Sequence, residues 1–118
     1  GSPRMNFMPV KVQGGTTAVA SGFTLDLPKA VGIENAILGI RPDDLNEHGQ
    51  GNGAAVNLKV DVVEILGSDQ YLYGKIGADD VIARVDPELK VSTGDQVPLV
   101  MNSRRMHLFD AETEKALL

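Results

Sequence analysis

The run Ala55-Val56-Asn57-Leu58-Lys59-Val60-Asp61-Val62-Val63-Glu64-Ile65-Leu66 decides the fold. Up to Val62 apolar residues alternate with polar ones, which is the period of a β-strand with one buried face. The alternation then changes phase, because Val63 and Ile65 take the other parity. Such a slip is typical of a β-bulge, and small closed barrels use bulges to bend their strands sharply. The run therefore predicts one long, bent strand.

Shorter runs on both sides repeat the strand pattern, with turn-forming residues between them. These runs are Asn6–Val12, Thr16–Ala20, Phe23–Leu27, Ile37–Ile40, Gln70–Ile76, Val81–Val85, Gln96–Met101 and Met106–Phe109. We therefore predict a single domain over residues 1–118 that is all-β in class. Its length and its bulge favour an OB-like small barrel of about eight short strands.

Further expectations concern the edges and loops of this barrel. Pro9 and Pro98 cannot donate to a ladder, so each predicts an edge position. Pro28–Ala36 has little periodicity and is interpreted as a linker. Glu47–Gly53 is rich in glycine and is interpreted as an exposed loop. Glu112–Leu118 is expected to form a short helix or a frayed tail.

The composition restricts the classes of partner. The chain of 118 residues has a net charge of −5, from 11 basic and 16 acidic residues. An acidic domain does not attract a phosphate backbone or an anionic membrane, so we expect no nucleic-acid partner. The sequence has no cysteine. Disulfides, thiolate zinc sites and cysteine nucleophiles are therefore excluded.

The histidines predict neither a metal site nor a catalytic site. His48 lies near Asp43, Asp44 and Glu47, whose carboxylates suit a hard cation. The spacing of an EF-hand is missing, however, so a solvated acidic turn is the simpler interpretation. His107 stands alone in a short strand and is interpreted as a structural or surface residue.

Two glycine-containing segments match phosphate loops only in part. Gly49–Gly53 precedes a strand-like run, whereas a dinucleotide-binding loop leads into a helix whose N-terminus faces the phosphates. Gly74-Lys75 belongs to no P-loop, because Asp69 and Ile76 stand where that motif needs Gly and Ser or Thr. We therefore expect a domain that is not an enzyme by itself and holds no cofactor or metal.

Segments along nearly the whole chain resemble one family. Ser2–Phe7 resembles the stretch where the ATPase domain of a sugar-importing ABC transporter passes into its C-terminal domain. Leu38–Leu45 resembles that domain's signature Gly-[Ile/Val]-Arg-Pro-Glu-His-Leu. Val63–Ser68, with Tyr71 after it, and His107–Asp110 resemble its later strands.

The resemblance implies a TOBE-type, OB-like regulatory domain in the ATP-binding subunit of an ABC importer of the maltose or glycerol-3-phosphate type. The chain is then expected to be the C-terminal part of a longer subunit, with ATP and Mg²⁺ bound by a preceding domain. The implied partners are a second copy of the subunit, the membrane subunits through that other domain, and a cytoplasmic regulatory protein. The implied location is the cytoplasmic face of the cell membrane.

The resemblance also maps a regulatory surface onto Phe7, Gly39, Arg41 and Pro42. A structural role is the alternative for the same residues: Phe7 in the core, Gly39 at a close backbone approach, and Arg41-Pro42 as a fixed corner. Asp43-Asp44 stands where the family has Glu-His, so a role of that histidine has no support here. A second function also stays open, because related TOBE modules hold oxyanions such as molybdate between barrels.

Overall fold

The computed structural model describes residues 4–49 and 53–118. In these residues the chain forms ten strands and one 3-10 helix, Pro42–Asp44. The strands are β1 (Asn6–Gln13), β2 (Thr17–Val19), β3 (Thr24–Asp26), β4 (Asn35–Ile40), β5 (Leu45–Asn46), β6 (Ala54–Leu66), β7 (Asp69–Ile76), β8 (Asp79–Val85), β9 (Gln96–Met101) and β10 (His107–Asp110). The first residues of the Ser2–Phe7 resemblance and the middle of the Glu47–Gly53 loop lie outside the described residues.

The strands form two five-stranded sheets with antiparallel pairing. The order is β10-β4-β1-β2-β3 in the first sheet and β5-β9-β6-β7-β8 in the second. The sheets curl into an OB-like fold, so the predicted all-β class is confirmed.

One hydrophobic core takes its residues from both sheets. Burial alternates with exposure along all of β1 and along the first eight residues of β6, as the sequence pattern predicts. Met8, Leu38, Leu58, Leu72 and Leu108 have no exposed surface. Each such side chain contributes about 1.5–3 kcal/mol to stability by leaving water.

The phase slip in β6 is a β-bulge, as predicted. Val60 pairs with Gly74 and Val62 with Tyr73, so the register shifts at Asp61. Gly74 leaves room for the bulged strand, because a Cβ atom there would lie 2.0 Å from the carbonyl oxygen of Lys59. Past the bulge the alternation of burial ends, and the strand extends beyond the core.

β1 is not the edge strand that Pro9 suggested, because it lies between β4 and β2 in its sheet. Pro9 pairs with Ile37 of β4, but pairing with β2 begins only at Lys11. The missing N–H of Pro9 therefore costs no ladder bond on the β2 side. Pro98 agrees with its prediction, because β9 pairs with β5 only through its last two residues.

Two other local predictions are corrected. Pro28–Ala36 is not wholly a linker, since β4 begins at Asn35. Glu112–Leu118 forms neither a helix nor a frayed tail, because it turns back on β10. The N–H of Leu117 donates to the carbonyl of Leu108 at 2.7 Å, and this return satisfies part of the outer edge of β10.

Hydrogen bonds join the two sheets at two places. The buried side chain of Asn6 in β1 exchanges two hydrogen bonds with the backbone of Ile82 in β8, both 2.8 Å long. At the second place, Ser21 Oγ accepts a hydrogen bond of 2.9 Å from the N–H of Ala78 in the β7–β8 turn. These contacts fix one sheet against the other, and with them the surfaces that each sheet presents.

Candidate interaction surfaces

An exposed apolar patch lies on the outer face of the first sheet. We call it the aromatic patch and define it as Phe7, Ile37, Gly39 and Phe109, from the adjacent strands β1, β4 and β10. Phe7 is 56% exposed. The ring of Phe109 meets it edge-on, with centroids 6.2 Å apart and an interplanar angle of 61°. Edge-to-face pairs of this kind favour a fixed geometry, so the two rings form one surface.

Gly39 provides the space in which these rings meet. It pairs with Phe7 on one side and with His107 on the other. A Cβ atom at this position would lie 2.6 Å from the sulfur of Met5 and 3.1 Å from a ring carbon of Phe109. Side chains, rather than the backbone, therefore make the close approach that the sequence suggested for Gly39.

The four residues named from the resemblance separate into two groups. Phe7 and Gly39 are direct cross-strand neighbours. Arg41 is exposed just beyond the end of β4, and Pro42 is buried at the first position of the 3-10 helix, where its fixed φ suits the turn. The structure thus brings two of the four together on an exposed face and uses the other two at a corner. The interpretation of Phe7 as a core residue is wrong, because more than half of its surface is exposed.

Two carboxylates border the aromatic patch. A shallow cavity of about 360 Å³ is lined by Phe7, Ile37, Phe109, Asp110 and Glu114. The Asp110 carboxylate accepts hydrogen bonds from two backbone N–H groups of the following turn, at 2.8 and 3.2 Å. Glu114 has a φ of 63°, in the left-handed region that non-glycine residues seldom adopt. This turn places acidic groups beside an apolar floor.

A second apolar surface, which was not predicted from the sequence, lies at the end of the β6–β7 hairpin. We call residues Val62–Leu66 the edge segment. Val62, Ile65 and Leu66 are 52%, 58% and 54% exposed. Since β9 pairs with β6 only over Ala54–Lys59, no strand in the described part of the chain pairs with the outer side of the edge segment. The signal was the change of phase itself, because apolar residues of both parities cannot all face one core.

Glu64 is the charged residue of the edge segment. The hydroxyl of Tyr73 donates to its carboxylate at 2.9 Å. This hydrogen bond, with the desolvation of the phenol, raises the pKa of Tyr73 above its ordinary value. Tyr71, the cross-strand partner of Glu64, is buried beside it. The β7 strand therefore holds the inner side of the edge segment in place.

Two of the acidic side chains near His48, those of Asp43 and Glu47, bond to other residues of the chain. Arg84 bonds to Asp69 at 2.5 Å and reaches Asp43 at 3.4 Å, and its bond to Asp69 raises the pKa of the guanidinium further. Glu47 pairs with His48 Nε2 at 3.0 Å and also accepts a backbone N–H at 3.1 Å. Over residues 4–49 and 53–118, no three metal-ligating side chains are grouped to hold an ion.

The glycine-rich loop leads directly into strand β6. Gly49 and Gly53 both pack against Val100, with no room for a Cβ atom at either position. The residues between them lie outside the described part of the chain. None of the described segments forms a helix that is both long and apolar enough to cross a membrane.

Two sequence families match the chain. The TOBE domain model matches residues 38–109, and the MalK OB fold domain model matches residues 1–45. The chain belongs to the TOBE domain family. In this TOBE domain the aromatic patch draws on both matches, since Phe7 lies in the OB fold match and Phe109 in the TOBE match.

Curated relatives of this TOBE domain are ATP-binding subunits of importers. The sn-glycerol-3-phosphate import ATP-binding protein UgpC of Cupriavidus metallidurans is 33% identical and aligns with 99% of the chain and 35% of its own length. The oligosaccharides import ATP-binding protein MsmX of Bacillus subtilis is 32% identical over 97% of the chain and 34% of its own length. The multiple sugar-binding transport ATP-binding protein MsmK of Streptococcus mutans is 35% identical over 99% and 34%. The chain thus spans about a third of the length of these relatives.

A solved structure shares the fold. The cytoplasmic molybdate-binding protein ModG, crystallised with molybdate bound, superposes with a TM-score of 0.67 over 87% of this chain and 94% of that one. The sequence identity is 12%. At that identity the likeness shows the fold alone.

Proposed function

We propose that this TOBE domain is the regulatory and dimer-contacting domain of the ATP-binding subunit of an ABC importer for sugars or related solutes. The importer subunits among its relatives support this assignment. The parent subunit would be a transport ATPase that binds ATP and Mg²⁺ in another domain. Its partners would be a second copy of itself, the membrane subunits and a cytoplasmic regulatory protein, at the inner face of the cell membrane.

The aromatic patch is the observation that carries the regulatory part of this proposal. Its middle strand β4 is paired on both sides, with Phe7 of β1 opposite Gly39, so the patch is held on a firm support. It offers a partner the ring of Phe7 and the half-buried side chains of Ile37 and Phe109, with Asp110 and Glu114 at the border. An aromatic anchor with a charged rim is the usual composition of a protein-binding hot spot. A regulator with an apolar residue next to a lysine or arginine would complement it.

The test compares Phe7→Lys with the unchanged parent subunit in the assembled importer. ATP hydrolysis is measured with and without a cytoplasmic extract that contains the regulator. We expect basal hydrolysis to stay within about twofold, because Phe7 is exposed and is not part of the hydrophobic core, and the response to the extract to be lost. Lys11→Ala, on the same outer face of β1, is the control and keeps the response. A Phe7→Lys subunit that responds normally would contradict the regulatory role of the patch.

Binding of an oxyanion or a sugar is the alternative function. The shared fold with a molybdate-binding protein is its support, but the polar groove around Arg84 carries four carboxylates, those of Asp43, Glu47, Asp69 and Asp86. Such a groove repels an anion. Titration calorimetry with molybdate and with simple sugars separates the two functions, since saturable binding to the domain would favour the alternative.

A further inference from the structure

Within the described residues, the outer side of the edge segment presents backbone groups that pair with no strand. Leu66 and Asp69 close a two-residue turn in which Gly67 has a φ of 62°, so the N–H and C=O of Leu66 face β7. Because these groups alternate in direction along a strand, those of Glu64 also face β7, whereas those of Val63 and Ile65 point away from it. Exposed apolar side chains and an unpaired sheet edge therefore coincide at one place, which is the combination that invites strand addition.

The sequence of the edge segment is symmetric about Glu64. It reads apolar, apolar, acidic, apolar, apolar from Val62 to Leu66. In an antiparallel pair of two such segments centred on Glu64, Val62 faces Leu66 of the other copy and Val63 faces Ile65. Each apolar residue then meets an apolar residue on the same face of the joined sheet. This self-complementarity singles out a second copy of the chain as the occupant.

We propose that two copies of this domain join by antiparallel pairing of their edge segments about a two-fold axis at Glu64. The backbone groups of Val63 in one copy bond with those of Ile65 in the other, and the β6 edges merge into one continuous sheet. The interface is isologous, as a two-fold contact requires. The inference rests on the proposed dimer-contacting role and names the surface that performs it.

The acidic group on the axis keeps this contact weak. The two Glu64 carboxylates face each other, and like charges directly opposite one another destabilise a strand pair. On the same face of each copy lie Tyr73, which donates to Glu64, then Tyr71, Asp69 and Arg84, which is already bonded to Asp69. No free cation among these neighbours offsets the repulsion. Glu64→Gln is therefore expected to tighten the dimer by about two- to fivefold.

Cysteine cross-linking tests the register directly, because the chain has no cysteine of its own. In the proposed pair, Glu64 and its copy form a non-hydrogen-bonded pair with Cα atoms about 4.5 Å apart, within the range that a disulfide spans. Glu64→Cys is therefore expected to form a covalent dimer under a mild oxidant. Thr24→Cys, exposed on β3 of the other sheet, is the control and should remain monomeric.

Sedimentation equilibrium of the domain supplies the second measurement, with circular dichroism to verify folding. Ile65→Lys is expected to weaken self-association by about tenfold or more, and Phe7→Lys, matched to it in exposure, to leave it unchanged. A dimer that is unaffected by Ile65→Lys, or a Glu64→Cys variant that cross-links no faster than Thr24→Cys, would overturn the inference and leave the dimer-contacting role to another surface. A domain that stays monomeric up to about millimolar concentration also overturns the pairing of the edge segments. The dimer-contacting role is then tested separately, by whether the parent subunit still dimerises when it carries Ile65→Lys.

Discussion

The aromatic patch and the edge segment are both apolar and exposed, but they differ in the state of the backbone beneath them. Under the patch, the middle strand β4 pairs with β1 on one side and β10 on the other, so at Ile37 and Gly39 a partner meets no unpaired strand edge. At the edge segment, β6 has one neighbouring strand among residues 4–49 and 53–118, so a partner meets side chains and unpaired N–H and C=O groups together. The first surface suits a partner that binds through side-chain contacts, and the second suits a partner that adds a β-strand to the sheet.

The glycines that shape the two surfaces differ in the same way. A Cβ atom at Gly39 would meet the ends of side chains, whereas one at Gly74 would meet the backbone of β6. Side-chain ends can move aside at little cost, but a strand held in a ladder cannot. Substitutions at these glycines should therefore disturb the edge segment far more than the patch.

The largest expected effect is at the base of the hairpin. In Gly74→Ala the new methyl group would lie 2.0 Å from the carbonyl oxygen of Lys59, so β6 and β7 must separate at the bulge. We expect the free energy of unfolding to fall by about 2–4 kcal/mol in urea titrations. Gly32→Ala, with nothing within 4 Å of its Cβ position, is the control and should change stability by less than about 0.5 kcal/mol. Equal stability of the two variants would contradict the bulge account.

A smaller effect is expected at the patch. In Gly39→Ala the methyl group would contact the sulfur of Met5 at 2.6 Å and the ring of Phe109 at 3.1 Å. Met5 can move aside, so we expect a loss of about 1 kcal/mol in the same urea titration. The geometry of the ring pair in the patch should also change, because Phe7 and Phe109 share the space above Gly39. A loss as large as that of Gly74→Ala would mean that the patch is as rigid as the hairpin base.

The smallest effect is expected at the β7–β8 turn, where Ala78 bonds to Ser21 of the other sheet. One carboxylate oxygen of Asp79 is buried and has no hydrogen-bond partner within residues 4–49 and 53–118. Burial, and then the charge of Asp80, raise the pKa of Asp79 above its ordinary value. The folded state therefore holds this proton more tightly than the unfolded state. The contribution of Asp79 to stability is then fully present below its unfolded pKa of about 3.9 and is lost as the pH rises through the folded pKa.

Asp79→Asn should accordingly stabilise the domain at pH 7 by less than about 1 kcal/mol, because the site is partly exposed. The gain should vanish as the pH approaches 4, and urea titrations between pH 4 and 7 measure it. Asp80→Asn is the matched control: it removes both an exposed ion pair of 2.6 Å with Lys75 and the repulsion of Asp79, so its gain should be smaller than that of Asp79→Asn. A gain that is the same at every pH would show that the charge of Asp79 is not its cause.

The bend of β6 could be predicted from sequence because its signal is local: two apolar parities within one run of residues. The position of β1 could not, since Pro9 reports only its own missing donor, while the partner strand β4 lies far along the chain. Pairing between distant segments decides which strand lies in the middle of a sheet, and no residue pattern within β1 contains that information.

The candidate surfaces were predictable in unequal measure. Met8 and Val10 share one parity of β1, so the outward position of Phe7 follows from alternation alone, and the interpretation of Phe7 as core overlooked it. The contact of Phe7 with Phe109 depends on β1 and β10 both lying beside β4, which only the topology shows. Predicting the edge segment also requires knowing that β9 stops pairing with β6 at Lys59, and this too is a property of the sheet.

The most direct test of two separate surfaces measures both functions in both lysine variants. Phe7→Lys and Ile65→Lys replace residues of nearly equal exposure, 56% and 58%, with the same side chain. Regulation of ATP hydrolysis is followed in the assembled importer, and self-association is followed in the domain. The account predicts that Phe7→Lys loses regulation and keeps the dimer, while Ile65→Lys keeps regulation and loses the dimer. Loss of both functions in either variant, at unchanged stability, would contradict it.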